Sequence, residues 1–128
     1  MFGDLYMWGW NVNGQLGLPV YETAKITYAD GRSEGIKQKL PTVFSLPELI
    51  HIPRESDGEY EILNVTAGVR HTVLTTLAQE ILGSGWNNYS QLSSTDGAKE
   101  MHSFKLIQSK RNKPCDVICG DWCTIIKE

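Results

Sequence analysis

Short apolar runs, each closed by glycine or a polar cluster, set the pattern of this chain. Ile62 to Ala67 and His71 to Thr76 are rich in β-branched and aliphatic residues and read as two strands. The residues between them, Gly68-Val69-Arg70, suffice for a short hairpin, with Gly68 able to supply a positive φ. Leu5 to Trp8 and Ile81 to Ser84 read as further short strands ending at Gly9 and Gly85, where glycine admits a bulge or a close backbone approach. Asn13-Gly14 is a strong turn signal, and Gly17 leaves the following loop free to bend. No stretch carries a helical period, apart from one turn expected around Leu46 to Ile50. The elements make a small β-sheet, which cannot bury both faces alone and must stack on neighbours.

The pattern repeats. Asp4 to Gly17 aligns without gaps on Glu80 to Ser93, at an offset of 76. The two segments share an acidic residue, an aliphatic position, Gly-Trp-Asn (Gly9-Trp10-Asn11 and Gly85-Trp86-Asn87) and then Gln-Leu (Gln15-Leu16 and Gln91-Leu92). A second pair lies at an offset of 52, Val65 to Leu74 against Val117 to Ile126, with Val, Gly and Thr identical. Self-similarity of this kind marks a stacked repeat architecture.

Gly9-Trp10-Asn11 with Gly14-Gln15-Leu16-Gly17 resembles the signature of the regulator-of-chromosome-condensation repeat. Ala67-Gly68-Val69-Arg70-His71-Thr72 is similar to that repeat's other hallmark: a small residue, Gly, two variable residues, His, then Thr or Ser. The doubled Gly-Trp-Asn and the late Cys119-Gly120-Asp121-Trp122 look closest to the C-terminal blades of the chromosome-condensation-regulator domain-containing protein one subfamily. Such repeats, of roughly fifty residues, form the four-stranded blades of a seven-bladed β-propeller. The resemblance therefore implies an all-β chain holding about two such blades, a C-terminal fragment of a longer propeller. Its hallmarks lie near residues 4–19, 62–93 and 115–126.

Departures accompany the match. Ser84 stands where the family has Trp or another large residue, and Ser90 and Ser93 replace the glycines of Gly-Gln-Leu-Gly. Leu77-Ala78-Gln79 lacks an Asp-Gly turn, and Cys123 replaces the last hallmark His. These put the turn geometry of the second blade in question. The first repeat is also long, by about 25 residues against a period of about fifty. The excess falls in a polar insertion near residues 20–40, with a further charged hairpin tip at Arg54 to Glu59. Thr23 to Lys39 is expected to be disordered, with partner contact as the other reading.

Composition narrows the function classes. At 128 residues, 41% hydrophobic and 21% charged, the chain suits one modest globular domain. A net charge of −3 argues against direct, sequence-specific nucleic-acid binding. Lys110-Arg111-Asn112-Lys113, the longest basic cluster, reads as a solvated loop. The first residues have no basic region or sustained apolar core, so no secretory leader is expected, nor is any apolar run long enough to span a bilayer. Three Cys suggest a reducing compartment rather than a disulfide framework.

Catalytic readings find no local context. His51, His71 and His102 lie near no nucleophile elbow, Walker loop or dinucleotide fingerprint. His71 is expected to bond backbone in a blade turn. Cys115, Cys119 and Cys123 with His102 nominally offer four zinc ligands, but the spacing is not that of a zinc knuckle, so the thiols read as small buried hydrophobes. No cofactor is expected. Trp8 reads as blade packing. Trp10, Trp86 and Trp122 follow strand-end glycines and are candidate partner contacts on one rim, with buried inter-blade packing as the alternative.

The resemblance implies a non-catalytic interaction scaffold in the nucleus, with the cytoplasm as a second compartment. In that subfamily the expected partner is a JmjC-domain histone demethylase or hydroxylase acting on chromatin, which brings its own iron and 2-oxoglutarate. The alternative it implies is guanine-nucleotide exchange on a Ran-type small GTPase.

Overall fold

The computed structural model describes residues 4–54, 58–92, 97–108 and 116–127. Ten strands run in chain order: β1 (Leu5–Trp10), β2 (Tyr21–Thr27), β3 (Ser33–Lys39), β4 (Val43–Ile50), β5 (Ile62–Ala67), β6 (His71–Thr76), β7 (Ile81–Trp86), β8 (Glu100–Gln108), β9 (Asp116–Cys119) and β10 (Thr124–Lys127). Strands β5-β6-β7-β8 form one antiparallel four-stranded sheet, a whole blade. Two partial blades flank it, the pair β1-β4 and the pair β9-β10, while β2-β3 is a separate hairpin.

The core explains why the central blade is whole. Adjacent strand residues point to opposite faces, and in β6 and β7 both faces are filled. Leu74 and Leu82 join Leu5, Ile50, Ile52 and Phe104 in a core against the β1-β4 pair. Val73 and Ile81 join Leu92 and Met101 on the other face, where Val117 and Cys119 of β9 pack. Burying each such aliphatic side chain contributes about 1.5–3 kcal/mol.

The two repeats share their irregularities as well. Between Gly83 and Gly85 the register on β8 jumps from Lys105 to Met101. Between Met7 and Gly9 the register on β4 jumps from Glu48 to Phe44. Pro47 lies within that jump, a place where a missing N–H costs no ladder bond. The helical turn expected at Leu46 to Ile50 is thus strand, because cross-strand pairing with β1 outweighs a weak local signal. The strands of the two signatures also run on through the glycines to Trp10 and Trp86, two residues beyond the expected ends.

The 23–39 segment corrects an expectation. It forms a seven-pair antiparallel ladder from Tyr21↔Lys39 to Thr27↔Ser33. Asp30-Gly31 makes its turn: Gly31 has φ +84°, and the Asp30 carboxylate accepts the Arg32 N–H at 3.0 Å. Lys37 lies 4.2 Å over the Tyr21 ring. Its one apolar face, Ala24, Ile26 and Ile36, is small and largely exposed, so the hairpin carries little core signal, and its order comes from turn chemistry and backbone pairing. It accounts for most of the extra length: Trp10 precedes its outer-strand partner Val43 by 33 residues, Trp86 precedes Glu100 by 14.

Candidate functional site

Each signature builds one loop around a buried asparagine. Asn11 accepts the Leu16 N–H through Oδ1 at 3.0 Å and donates through Nδ2 to the Leu18 carbonyl at 2.9 Å. Asn87 repeats this with the Leu92 N–H at 2.8 Å and the Ala98 carbonyl at 2.8 Å. The Gln15 side chain accepts the Asn13 N–H, and Gln91 accepts that of Tyr89. Leu16 and Leu92 plug the loops from inside. Gly14 at φ +78° and Ser90 at φ +57° occupy the same turn position, so the second loop keeps its geometry despite losing the glycine. Ser93 lies outside the described residues.

Close approaches link one unit to the next. The first loop rests on β8: a side chain at Gly14 would strike His102 Cα, and one at Gly17 the Phe104 ring. Ser84 is fully buried, and its hydroxyl is placed to donate to the Gly14 carbonyl at 2.5 Å and the Met101 carbonyl at 3.0 Å. The small residue is what lets the loop descend there.

His71 is buried against the other neighbour. Its Nε2–H donates to the Cys123 carbonyl at 3.2 Å, so it bonds backbone of the next hairpin rather than of its own turn. Burial holds its basicity below that of a free imidazole, and the Cys123 hydrogen bond only partly offsets this. Gly68 is required beneath it, since a Cβ would lie 2.3 Å from His71 Cε1. The Gly120–Cys123 turn copies the Gly68–His71 turn, each Gly N–H bonding the carbonyl three residues on.

The structure brings Trp86 and Trp122 together, ring centroids 5.2 Å apart and edge to face. Tyr89 completes the group, 5.1 Å from Trp86 and 6.4 Å from Trp122. Arg70 lies over both indoles, at 5.6 Å from Trp86 and 5.9 Å from Trp122. Trp122 remains 47% exposed and Tyr89 69% exposed, so the cluster presents a cation-capped aromatic surface. Sequence reasoning missed Tyr89 and Arg70. Their signal was faint: each occupies a variable position beside a hallmark, an Asn–Gln loop for Tyr89 and the residue before His71 for Arg70.

Trp10 is not part of this cluster; it stands 68% exposed. Trp8, expected to pack inside a blade, is 60% exposed: it lies on the face of β1 turned away from the core shared with the central sheet, and among the described residues no loop covers it as the Asn11 loop covers Ser84. Cys119 is half-buried and its thiol is pushed up in pKa, chiefly by burial. Cys123 is exposed, against the expectation of a buried thiol; among the described residues β10 pairs with β9 alone. Cys115 lies outside the described residues, and among those described no three His, Cys, Asp or Glu side chains converge as a metal site.

Comparison with known proteins supplies the context. Residues 3–75 match the sequence model of the Regulator of chromosome condensation (RCC1) repeat. The chain is 29% identical to human RCC1 domain-containing protein 1 over 97% of its own length and 37% of that protein's. It is 27% identical to the Arabidopsis thaliana ultraviolet-B receptor UVR8 over 94% of its length and 22% of the receptor's. The crystal structure of human WBSCR16 superposes with a TM-score of 0.64 at 16% identity, covering 93% of this chain and 24% of that one. The chain thus spans little more than a third of the RCC1 domain-containing relatives and less than a quarter of the receptor.

Proposed function

The chain belongs to the RCC1 repeat family, and on that premise we propose that it is a non-catalytic protein-interaction scaffold whose contact surface is the Arg70–Trp86–Tyr89–Trp122 rim. One observation carries the reading: three aromatic rings and a guanidinium, drawn from two successive units, lie packed together yet open to solvent. Tryptophan, tyrosine and arginine are the residue types that dominate binding hot spots. His71, the hallmark histidine, is held by a backbone carbonyl, in keeping with a structural role.

The partner and compartment proposed follow the subfamily resemblance: a JmjC-domain oxygenase on chromatin, in the nucleus. The test is precipitation from nuclear extract with the wild-type chain and with Trp86→Ala/Trp122→Ala, followed by mass spectrometry. The expected result is recovery of a JmjC-domain oxygenase by the wild type and its loss with the double variant. Equal recovery by both would remove the rim from the proposal. Nucleotide release from a loaded Ran-type GTPase at substoichiometric protein, with no oxygenase recovered, would replace the scaffold reading with exchange.

A further inference from the structure

The β2–β3 hairpin sorts its charges by face. Antiparallel partners share a face, and successive residues along a strand alternate between faces. The ladder therefore puts Lys25, Lys37 and Lys39 on one side with Tyr21 and Thr23, and Glu22 and Glu34 on the other with Ile26 and Ile36. The hairpin's remaining acid, Asp30, is held at the turn by Arg32, 2.6 Å away. None of the three lysines pairs with a carboxylate among the described residues.

The basic face is open with its neighbour in place. Tyr21, at its foot, has its ring 6.3 Å from that of His102 in β8, so this face borders the central sheet. All three lysines are nonetheless exposed. Lys37 is steadied over the Tyr21 ring. Gly35 stands opposite Lys25, and a Cβ there would lie 3.0 Å from Thr23 Cγ2, so the glycine keeps the strip between the lysines low. Three uncompensated ammonium groups make a local positive patch on a chain whose net charge is −3.

We propose that this face docks an extended acidic segment of a partner polypeptide, one with Asp or Glu at every second residue. An extended chain turns alternate side chains to one face about 6.8 Å apart, which is also the same-face step from Lys37 to Lys39. A segment laid along β3 therefore brings its carboxylates to the lysines in register. The chemistry favours carboxylates over nucleic-acid phosphates. The face carries no Arg to fork onto a phosphate, and its Tyr21 ring is already covered by Lys37, which leaves no platform for stacking bases. This surface shares no residue with the Arg70–Trp86–Tyr89–Trp122 rim, so the two stand or fall separately.

The test is fluorescence anisotropy with the full 128-residue chain at low ionic strength. The labelled probes are a short peptide of alternating Glu and Thr, the same residues sorted into two blocks, a peptide of alternating Lys and Thr, and a short oligothymidylate. The alternating Glu peptide should bind, lose affinity as salt rises, and bind more tightly than the block peptide or the oligothymidylate. Lys25→Glu/Lys37→Glu/Lys39→Glu should weaken it roughly tenfold or more. That variant should also gain binding to the alternating Lys peptide, a readout that misfolding would not give. Glu22→Gln/Glu34→Gln, on the opposite face, should leave binding within about twofold. No binding of the alternating Glu peptide by the wild type would overturn the proposal. So would equal or tighter binding of the block peptide or the oligothymidylate, no loss in the lysine variant, or a matching loss in the glutamate variant.

Discussion

The loops opening at Asn11 and Asn87 have one skeleton and two surroundings. Both use asparagine, glutamine and leucine at the same spacing and accept the leucine N–H on the asparagine Oδ1, while the Nδ2 groups reach the Leu18 and Ala98 carbonyls, which are not equivalent positions. The first is pressed onto the following blade by Ser84 and leaves Trp10 bare; the second holds Trp86 inside an aromatic cluster with Tyr89 and Trp122. The comparison separates residues that make the loop from residues that decide what the loop meets. The first set recurs in both repeats; the second does not.

The largest effect should come from the shared skeleton. Asn11→Ala or Asn87→Ala orphans one buried N–H and one carbonyl, and each should cost about 2–4 kcal/mol, read from urea midpoints. Losses differing by more than about 1 kcal/mol would show that the loops are not energetic equivalents.

Ser84→Ala tests the contact peculiar to the first loop. It strips the hydroxyl from the Gly14 and Met101 carbonyls and should cost about 1–3 kcal/mol. Exchange protection should fall in residues 11–17 and stay unchanged in 87–92, the contrast that checks the assignment.

The turn opening β6 offers a pH test at His71. The folded His71 holds its proton less readily than the unfolded one, so the unfolded chain protonates first as pH drops below about 6.5. Stability should be flat above that value and fall as pH decreases toward the lower folded pKa. His71→Gln, which keeps a side-chain N–H donor, should flatten this part of the profile; an unchanged slope would mean the titration lies elsewhere.

The smallest effects distinguish the tryptophans. Trp86→Ala should cost about 0.5–1.5 kcal/mol beyond its lost burial, from the ring contacts. Trp10→Ala should change the melting midpoint by an amount worth no more than about 0.5 kcal/mol.

What the sequence determined alone was the local machinery. The turn at Gly68–Arg70, the strands on either side of it and the two Asn loops are legible because their hydrogen bonds span only a few residues. Their residue types are therefore constrained at fixed spacing. Even the 20–40 hairpin had its signal in Asp30-Gly31, outweighed by a polar composition that gave little core face to read. Tertiary structure decided the rest. Trp86 meets Trp122 across 36 residues of chain, His71 bonds a carbonyl in the next unit, and Trp8 lies open on the β1 face turned away from the shared core, whereas its counterpart Ser84 lies under a neighbouring loop. Periodicity tells which positions favour burial, whereas the segment that arrives to bury them is chosen by packing between blades, which no local pattern encodes.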